Sequence, residues 1–244
     1  MGLDDDRLMQ RMYALDLIEK GFIGQNRGSA ASDHQKILKK TLNLMTSKQM
    51  DAFKVASEPE EVKERYGATN FGRGCLMARR LVEQGVNMVQ VNLGNNETWD
   101  THQAAFPSLK NFLLPPLDHS LSALLEDLDA SGLLDETMVV VVGEFGRSPK
   151  MGISTSGNGN DKNGRDHWPY CFTSIVAGGG IKRGYVYGKS DETGSAPVEN
   201  PVHPRDLLAT IYHAVGINPK TLVYNHLNQP RELVKGEAVL DLFA

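Results

Sequence analysis

Apolar residues between positions 7 and 18 recur at steps of three and four, the period of a helix. Gly21 and Gly24 predict its stop. Residues 25–33 predict a polar loop containing Gly28 and Ser29, and residues 35–45 a second helix. Thr46 and Ser47 offer an N-cap for a third, with Met50, Phe53 and Val55 as its apolar contacts. Pro59 opens a short helical stretch through Glu64, and residues 67–70 break it. Residues 73–84 are amphipathic and close at Gly85, a common helix stop.

After Gly85 the period changes to two. Residues 86–93 (Val-Asn-Met-Val-Gln-Val-Asn-Leu) alternate and predict a strand. A polar loop follows over residues 95–103. Residues 113–128 predict a long helix, entered through Pro115 and Pro116 and closed by Ser131 and Gly132. Residues 137–142 form a β-branched apolar run, the pattern of a strand buried on both faces. Residues 152–164, rich in Gly, Asn and Ser, predict a flexible loop. Residues 172–177 predict another strand, ended by three glycines. Short strands are expected at 185–187 and within 238–243, and a helix at 204–215 with Gly216 as its stop. A helical segment over residues 1–85, followed by strands and helices in alternation over 86–244, predicts one α/β domain whose sheet is covered by helices.

Composition narrows the function. A net charge of −4 gives no general attraction to nucleic acid or to an anionic membrane. The 40% apolar and 23% charged content suits a chain that buries a core. No apolar run approaches the roughly 20 residues that span a bilayer. The opening residues lack the basic-then-apolar layout of an export signal. Two cysteines, Cys75 and Cys171, exclude a disulfide framework and a zinc knuckle; they leave room for one bridge, with two buried free thiols as the expectation.

Ligands of open α/β sheets bind beyond the carboxyl ends of strands. Two polar loops there carry candidate chemistry, Asn95-Asn96-Glu97-Thr98-Trp99-Asp100-Thr101-His102 and Gly143-Glu144-Phe145-Gly146-Arg147, and a third segment, Gly164-Arg165-Asp166-His167-Trp168-Pro169, precedes the next strand. Asp100, His102, Glu144, Asp166 and His167 together offer carboxylate oxygens and imidazole nitrogens. That set suits Zn²⁺ or Mn²⁺, and its carboxylates alone suit Mg²⁺ or Ca²⁺. Arg147 and Arg165 offer guanidinium forks for an anionic substrate. The plainer alternative makes Asp100 a loop cap and His102 a surface histidine. A carboxylate directly after a buried strand, as Glu144 is, has less explanation in packing alone. His34, His119, His203, His213 and His226 carry no partner signal, and a packed histidine is the expectation for His213.

The run from Thr137 to Pro149, the Gly164-to-Pro169 segment, Ala177-Gly-Gly-Gly-Ile181 with Val186-Tyr-Gly188, Trp99-Asp-Thr-His102, Glu64-Arg-Tyr-Gly67, Ala78-Arg-Arg-Leu-Val-Glu83 and Pro204-Arg-Asp-Leu-Leu-Ala-Thr210 form a set of separate motifs. Together they resemble the bacterial domain-of-unknown-function 1501 family. The resemblance implies membership of the alkaline phosphatase and sulfatase superfamily. That superfamily has a three-layer α/β/α sandwich with metal ions at the strand ends. Its mid-chain Asp and His would fall on Asp100 and His102, spaced D-x-H rather than D-x-x-x-H. Its Asp-His pair after a buried strand would fall on Glu144 and Phe145, of which only the glutamate can ligate. Its late histidine would fall on His167. The family's first metal aspartate and its Ser, Thr or Cys nucleophile find no match in residues 1–85. The chain therefore resembles the carboxy-terminal portion of longer proteins that look exported, periplasmic or extracellular.

Two functions from different classes follow. One is a metal-dependent hydrolase of phosphate or sulfate esters, acting on an anionic small molecule or a glycan ester, with its nucleophile outside this chain. The other is a non-catalytic metal- or ligand-binding module of the same fold, or an inactive fragment of it. Missing strands would leave an exposed sheet edge through which the chain could self-associate.

Overall fold

The computed structural model describes residues 5–24, 29–45, 47–94 and 98–244, which form two compact units, Met1–Ser57 and Glu58–Ala244. The first unit is helical. Helices α1 (Asp5–Gly24) and α2 (Ala30–Met45) pack on each other, with the Glu19 carboxylate buried against the imidazole of His34. α1 runs through Gly21 rather than stopping there. One interior glycine costs about 1 kcal/mol, and a long helix packed on a neighbour outweighs it. Ser47 flanks a 3-10 turn, Lys48–Phe53, rather than capping a longer helix; Ala52 within it and Val55 after it are buried, whereas Met50 is half-buried and Phe53 exposed. Thr46 and residues 25–28 of the predicted 25–33 loop lie outside the described residues; the rest of that loop, from Ala30, is already helical.

The second unit is mixed α/β. Helices α3 (Glu60–Tyr66), α4 (Asn70–Glu83) and α6 (Leu114–Ala130) pack around Tyr66, Leu76 and Leu128, each about fully buried. Thr69 caps α4 by accepting from Gly72 N at 3.0 Å. Gly72 is required by a close approach: a Cβ there would lie 2.1 Å from the Tyr66 carbonyl oxygen. The short helix α5 (Ala105–Ser108) and a π turn, Leu109–Leu113, lead into α6. α6 carries proline in its first turn, where the missing N–H has no intrahelical partner to lose.

One charged network ties these helices together. The Asp127 carboxylate accepts from Tyr66 Oη at 2.9 Å and Arg79 Nη1 at 2.8 Å, and pairs with Arg65 Nη2 at 2.8 Å. Arg79 also meets Glu58 at 3.1 Å. Burial alone would raise the Asp127 carboxyl; the hydrogen bonds from Arg79, Tyr66 and Arg65 outweigh it and hold it below its usual range. Both cysteines are free, as expected, and burial pushes the Cys75 thiol up to about 11.

The strands pair in twos, all antiparallel. β1 (Val139–Val141) pairs with β4 (Ile175–Ala177), with Val140 opposite Val176. β2 (Gly146–Arg147) pairs with β3 (His167–Trp168). β5 (Lys189–Ser190) pairs with β6 (Pro197–Glu199), and β7 (Leu222–Tyr224) with β8 (Pro230–Glu232). No sheet of more than two strands forms among the described residues, so the expected continuous sheet is not assembled there. β1 is half-buried rather than enclosed on both faces, and Val142 beyond it is exposed.

Residues 86–93 keep the expected alternation only in part, since Met88 is exposed. Val89, Val91 and Leu93 are half-buried while Gln90 and Asn92 are exposed, yet the segment joins no ladder. Its inner face lies against α4, where a Cβ on Gly74 would come 2.9 Å from Val91 Cγ1. The expected strand at 185–187 does not form. In place of the terminal strand there is a 3-10 turn, Leu240–Leu242, and a single bridge between Ile181 and Phe243. Helix α7 (Pro204–Ala214) starts at a capping box, in which His203 accepts from Arg205 N and Asp206 accepts from His203 N. Among the described residues no helix is long and apolar enough to cross a membrane.

Candidate metal centre

Three stretches distant in sequence build the site. Residues 99–102 turn tightly, with Thr101 N bonded to Trp99 O and His102 N to Asp100 O, and the Trp99 indole N–H anchors the turn on Leu93 O at 2.8 Å. The turn is then pinned to the later loop: Asp161 N donates to His102 O and Arg165 N to Thr101 O. Gly164 lets the two backbones touch, since a Cβ there would lie 1.8 Å from His102 O. The β2–β3 register sets Arg147 opposite His167.

These contacts bring Asp100, His102 and His167 together. Asp100 Oδ1 lies 2.8 Å from His167 Nε2 and 3.0 Å from His102 Nε2, and the two Nε2 atoms are 3.2 Å apart. The Arg147 guanidinium donates to the same Asp100 oxygen. Phe145 walls the site, its ring centroid 4.7 Å from that of His167. Burial disfavours charge on Asp100, but hydrogen bonds from Arg147 and His167 outweigh it and hold the carboxyl below its usual range. Beside the cluster lies an open depression of 340 Å³ lined by Asp100, His102, Gln103 and residues 159–161.

The spacing fits a metal ion. With bonds of about 2.0–2.1 Å, neighbouring donors of a tetrahedral ion stand about 3.3 Å apart, close to the separations here. Two imidazoles and one carboxylate match Zn²⁺ or Mn²⁺ better than Mg²⁺ or Ca²⁺, which favour all-oxygen shells.

The family described as protein of unknown function, DUF1501, matches residues 1–243. The chain belongs to the DUF1501 family. No curated protein and no solved structure matches it.

In this DUF1501 chain the seven sequence candidates separate into different places. Asp100, His102 and His167 converge, and Arg147 joins them through Asp100. Glu144 is exposed and stands outside the cluster; the short, half-buried β1 ends before it and leaves it to solvent. Asp166 is fully buried but does not join the ligand group. Its carboxylate accepts from the backbone N–H groups of Thr155, Ser156 and His167 and from the hydroxyls of Ser154 and Ser156. Burial opposes that charge, and the donors overcome it, so the carboxyl is held far below its usual range. Arg165 spends its guanidinium on backbone, with Nε on Ser148 O at 2.6 Å and Nη2 on Arg147 O at 3.1 Å. It clamps the β2 segment rather than facing the depression.

Sequence reasoning missed the Ser154-Thr155-Ser156 run. These residues lie in the stretch predicted as a flexible loop, yet Asp166 fixes them, and Thr155 Oγ1 donates to His167 O at 2.6 Å. A run of three hydroxyl residues ten positions before a candidate aspartate was the available signal. Phe145 was read only as a position unable to ligate, and its packing on His167 had no signal in the spacing.

Proposed function

We propose that this chain holds one divalent metal ion on Asp100, His102 and His167, and that the site belongs to a metal-dependent hydrolase of phosphate or sulfate esters. The observation that carries the proposal is the convergence of three ligand atoms at 2.8–3.2 Å around an open depression. The proposed scaffold is the three-layer sandwich of the alkaline phosphatase and sulfatase superfamily. In support, Asp100 and His102 follow the alternating 86–93 segment, and His167 comes from the strand paired with β2. A bound ion would supply Lewis-acid polarisation of an ester oxygen. Asp100 and the two imidazoles would hold it. Arg147, half-buried and already at the cluster, would offer its remaining N–H groups to an anionic ester oxygen.

A second reading is a metal-binding module without turnover. One observation favours it: the hydroxyls of Ser154, Thr155 and Ser156 near the site are all committed to Asp166 or to His167 O. The carboxylate that Ser154 and Ser156 face is held far below its usual range and is a weak base for activating them.

Metal analysis of the purified chain tests the shared premise. About one Zn²⁺ or Mn²⁺ per chain is expected, with most of it lost in His167→Ala and in His102→Ala. Equal metal in wild type and variants, or none in wild type, removes the site. With the metal confirmed, hydrolysis of phosphate or sulfate esters that is abolished by His167→Ala supports the enzyme; because that reading takes its nucleophile from outside this chain, it also expects such esters to compete for the metal-loaded site, and no binding of either ester there supports the module.

A further inference from the structure

We propose that Asp166 is a positioning residue that keeps the proton of His102 on Nδ1 and thereby aims the Nε2 lone pair at the metal position. The inference rests on the metal-site reading above and adds to it a residue outside the ligand set.

Asp166 cannot serve as a ligand in this arrangement. Oδ1 accepts from Ser156 Oγ at 2.7 Å and His167 N at 2.6 Å; Oδ2 accepts from Thr155 N at 2.6 Å, Ser156 N at 2.9 Å and Ser154 Oγ at 3.2 Å. The side chain has no solvent exposure. What it does face is His102. The Nδ1 atom of that ring is buried without a hydrogen-bond partner, and Asp166 Oδ1 lies 3.6 Å from it. That distance is too long for a hydrogen bond, and a shift of about half an ångström closes it.

The tautomer follows from charge. A lone pair on Nδ1 would point at a carboxylate and be repelled; an N–H is attracted. With the proton on Nδ1, the neutral ring presents a lone pair at Nε2. That lone pair meets Asp100 Oδ1 at 3.0 Å and His167 Nε2 at 3.2 Å. A cation relieves the meeting of that lone pair with the Asp100 carboxylate, and would take the place of the hydrogen bond from His167 to Asp100. A carboxylate behind a ligating histidine is a general means of fixing ring orientation and raising ligand basicity. Asp166 also reaches the second histidine through His167 N, and Thr155, which it holds, bonds His167 O. One buried carboxylate therefore ties the 154–156 loop to the His167 backbone and stands 3.6 Å from the His102 ring.

Long-range ¹H–¹⁵N spectra of the histidine-labelled full chain, with Zn²⁺ titrations of wild type and Asp166→Asn, provide the test. The expected result is His102 protonated at Nδ1 and zinc-bound at Nε2, with the Zn²⁺ dissociation constant raised about 10–100-fold in Asp166→Asn. An Nε2-protonated neutral His102 in wild type overturns the inference. So does a variant whose zinc affinity stays within about 3-fold of wild type while the fold is kept. If wild type binds no zinc, the metal-site reading falls by itself, and the tautomer of neutral His102 in the metal-free chain still decides the role of Asp166. If Asp166→Asn does not fold, the wild-type tautomer alone decides it.

Discussion

One oxygen, Asp100 Oδ1, is the junction of the site, because two imidazole nitrogens and a guanidinium all meet it. Replacing Asp100 by Asn removes the negative charge that these groups share. Metal affinity is expected to fall by at least about tenfold, since a ligating carboxylate is lost, and a titration in which Asp100→Asn matches wild type would count against the assignment. Gly164 acts at the same scale through space rather than charge. Its hypothetical Cβ lies 1.8 Å from His102 O, a backbone atom that cannot swing aside. Gly164→Ala should destabilise by about 2 kcal/mol or more and weaken metal binding, read by thermal melts and zinc titration. Retention of both would show that the loop can retreat without disturbing His102. A sequence makes the donor chemistry of Asp100 and His102 visible. It does not show that Asp166 faces inward with its oxygens already engaged, because that depends on three residues ten or more positions away.

At the scale of elements, the helices were largely legible and the strands were not. Helices α4 and α7 follow the predicted periods closely because each is amphipathic and carries its own start signal, Thr69 and His203 respectively. Thr69→Ala removes the acceptor for Gly72 N and should cost about 1 kcal/mol, measurable by denaturant unfolding; no change would mean that water replaces the cap. Asp127 belongs to the packing of α3, α4 and α6. Asp127→Asn leaves Arg79, itself only 13% exposed, with less compensation. The expected loss is about 2–3 kcal/mol, between a charged hydrogen bond and a fully buried pair. An unfolding free energy within error of wild type would assign the network no net stabilising role. Strands lack such local signatures. Residues 89–93 alternate as expected, but pairing is a relation between segments, and periodicity in one segment says nothing about its partner. The stretch at 137–142 read as doubly buried because its residues are apolar, whereas burial also requires layers on both sides.

For the whole molecule, the depressed carboxyls set an expectation for acid stability. The folded pKa values of Asp127 and Asp166 lie below their unfolded values. Folding therefore gains from their ionisation, fully so above the ordinary Asp value of about 3.9. That gain diminishes as pH falls below this value and is gone once both groups are protonated in the folded state as well. The melting temperature should be nearly flat from these groups between pH 7 and 5 and drop steeply toward pH 3. A melting temperature unchanged between pH 5 and 3 would show that neither carboxylate matters to stability.

The sequence by itself determined the helical character of the first part of the chain, the lack of a spanning segment among the described helices and the residue types of a candidate metal site. These are local or compositional properties, set by side-chain chemistry and period. Tertiary structure alone decided which candidates meet. His167 reaches Asp100 because Arg147 is its neighbour across β2 and β3 and because Gly164 admits the His102 backbone. Glu144 does not reach the cluster although its chemistry qualifies it. Ligation is a matter of atoms within a few ångströms, and only the folded path of the chain fixes distances of that kind between residues sixty-seven positions apart.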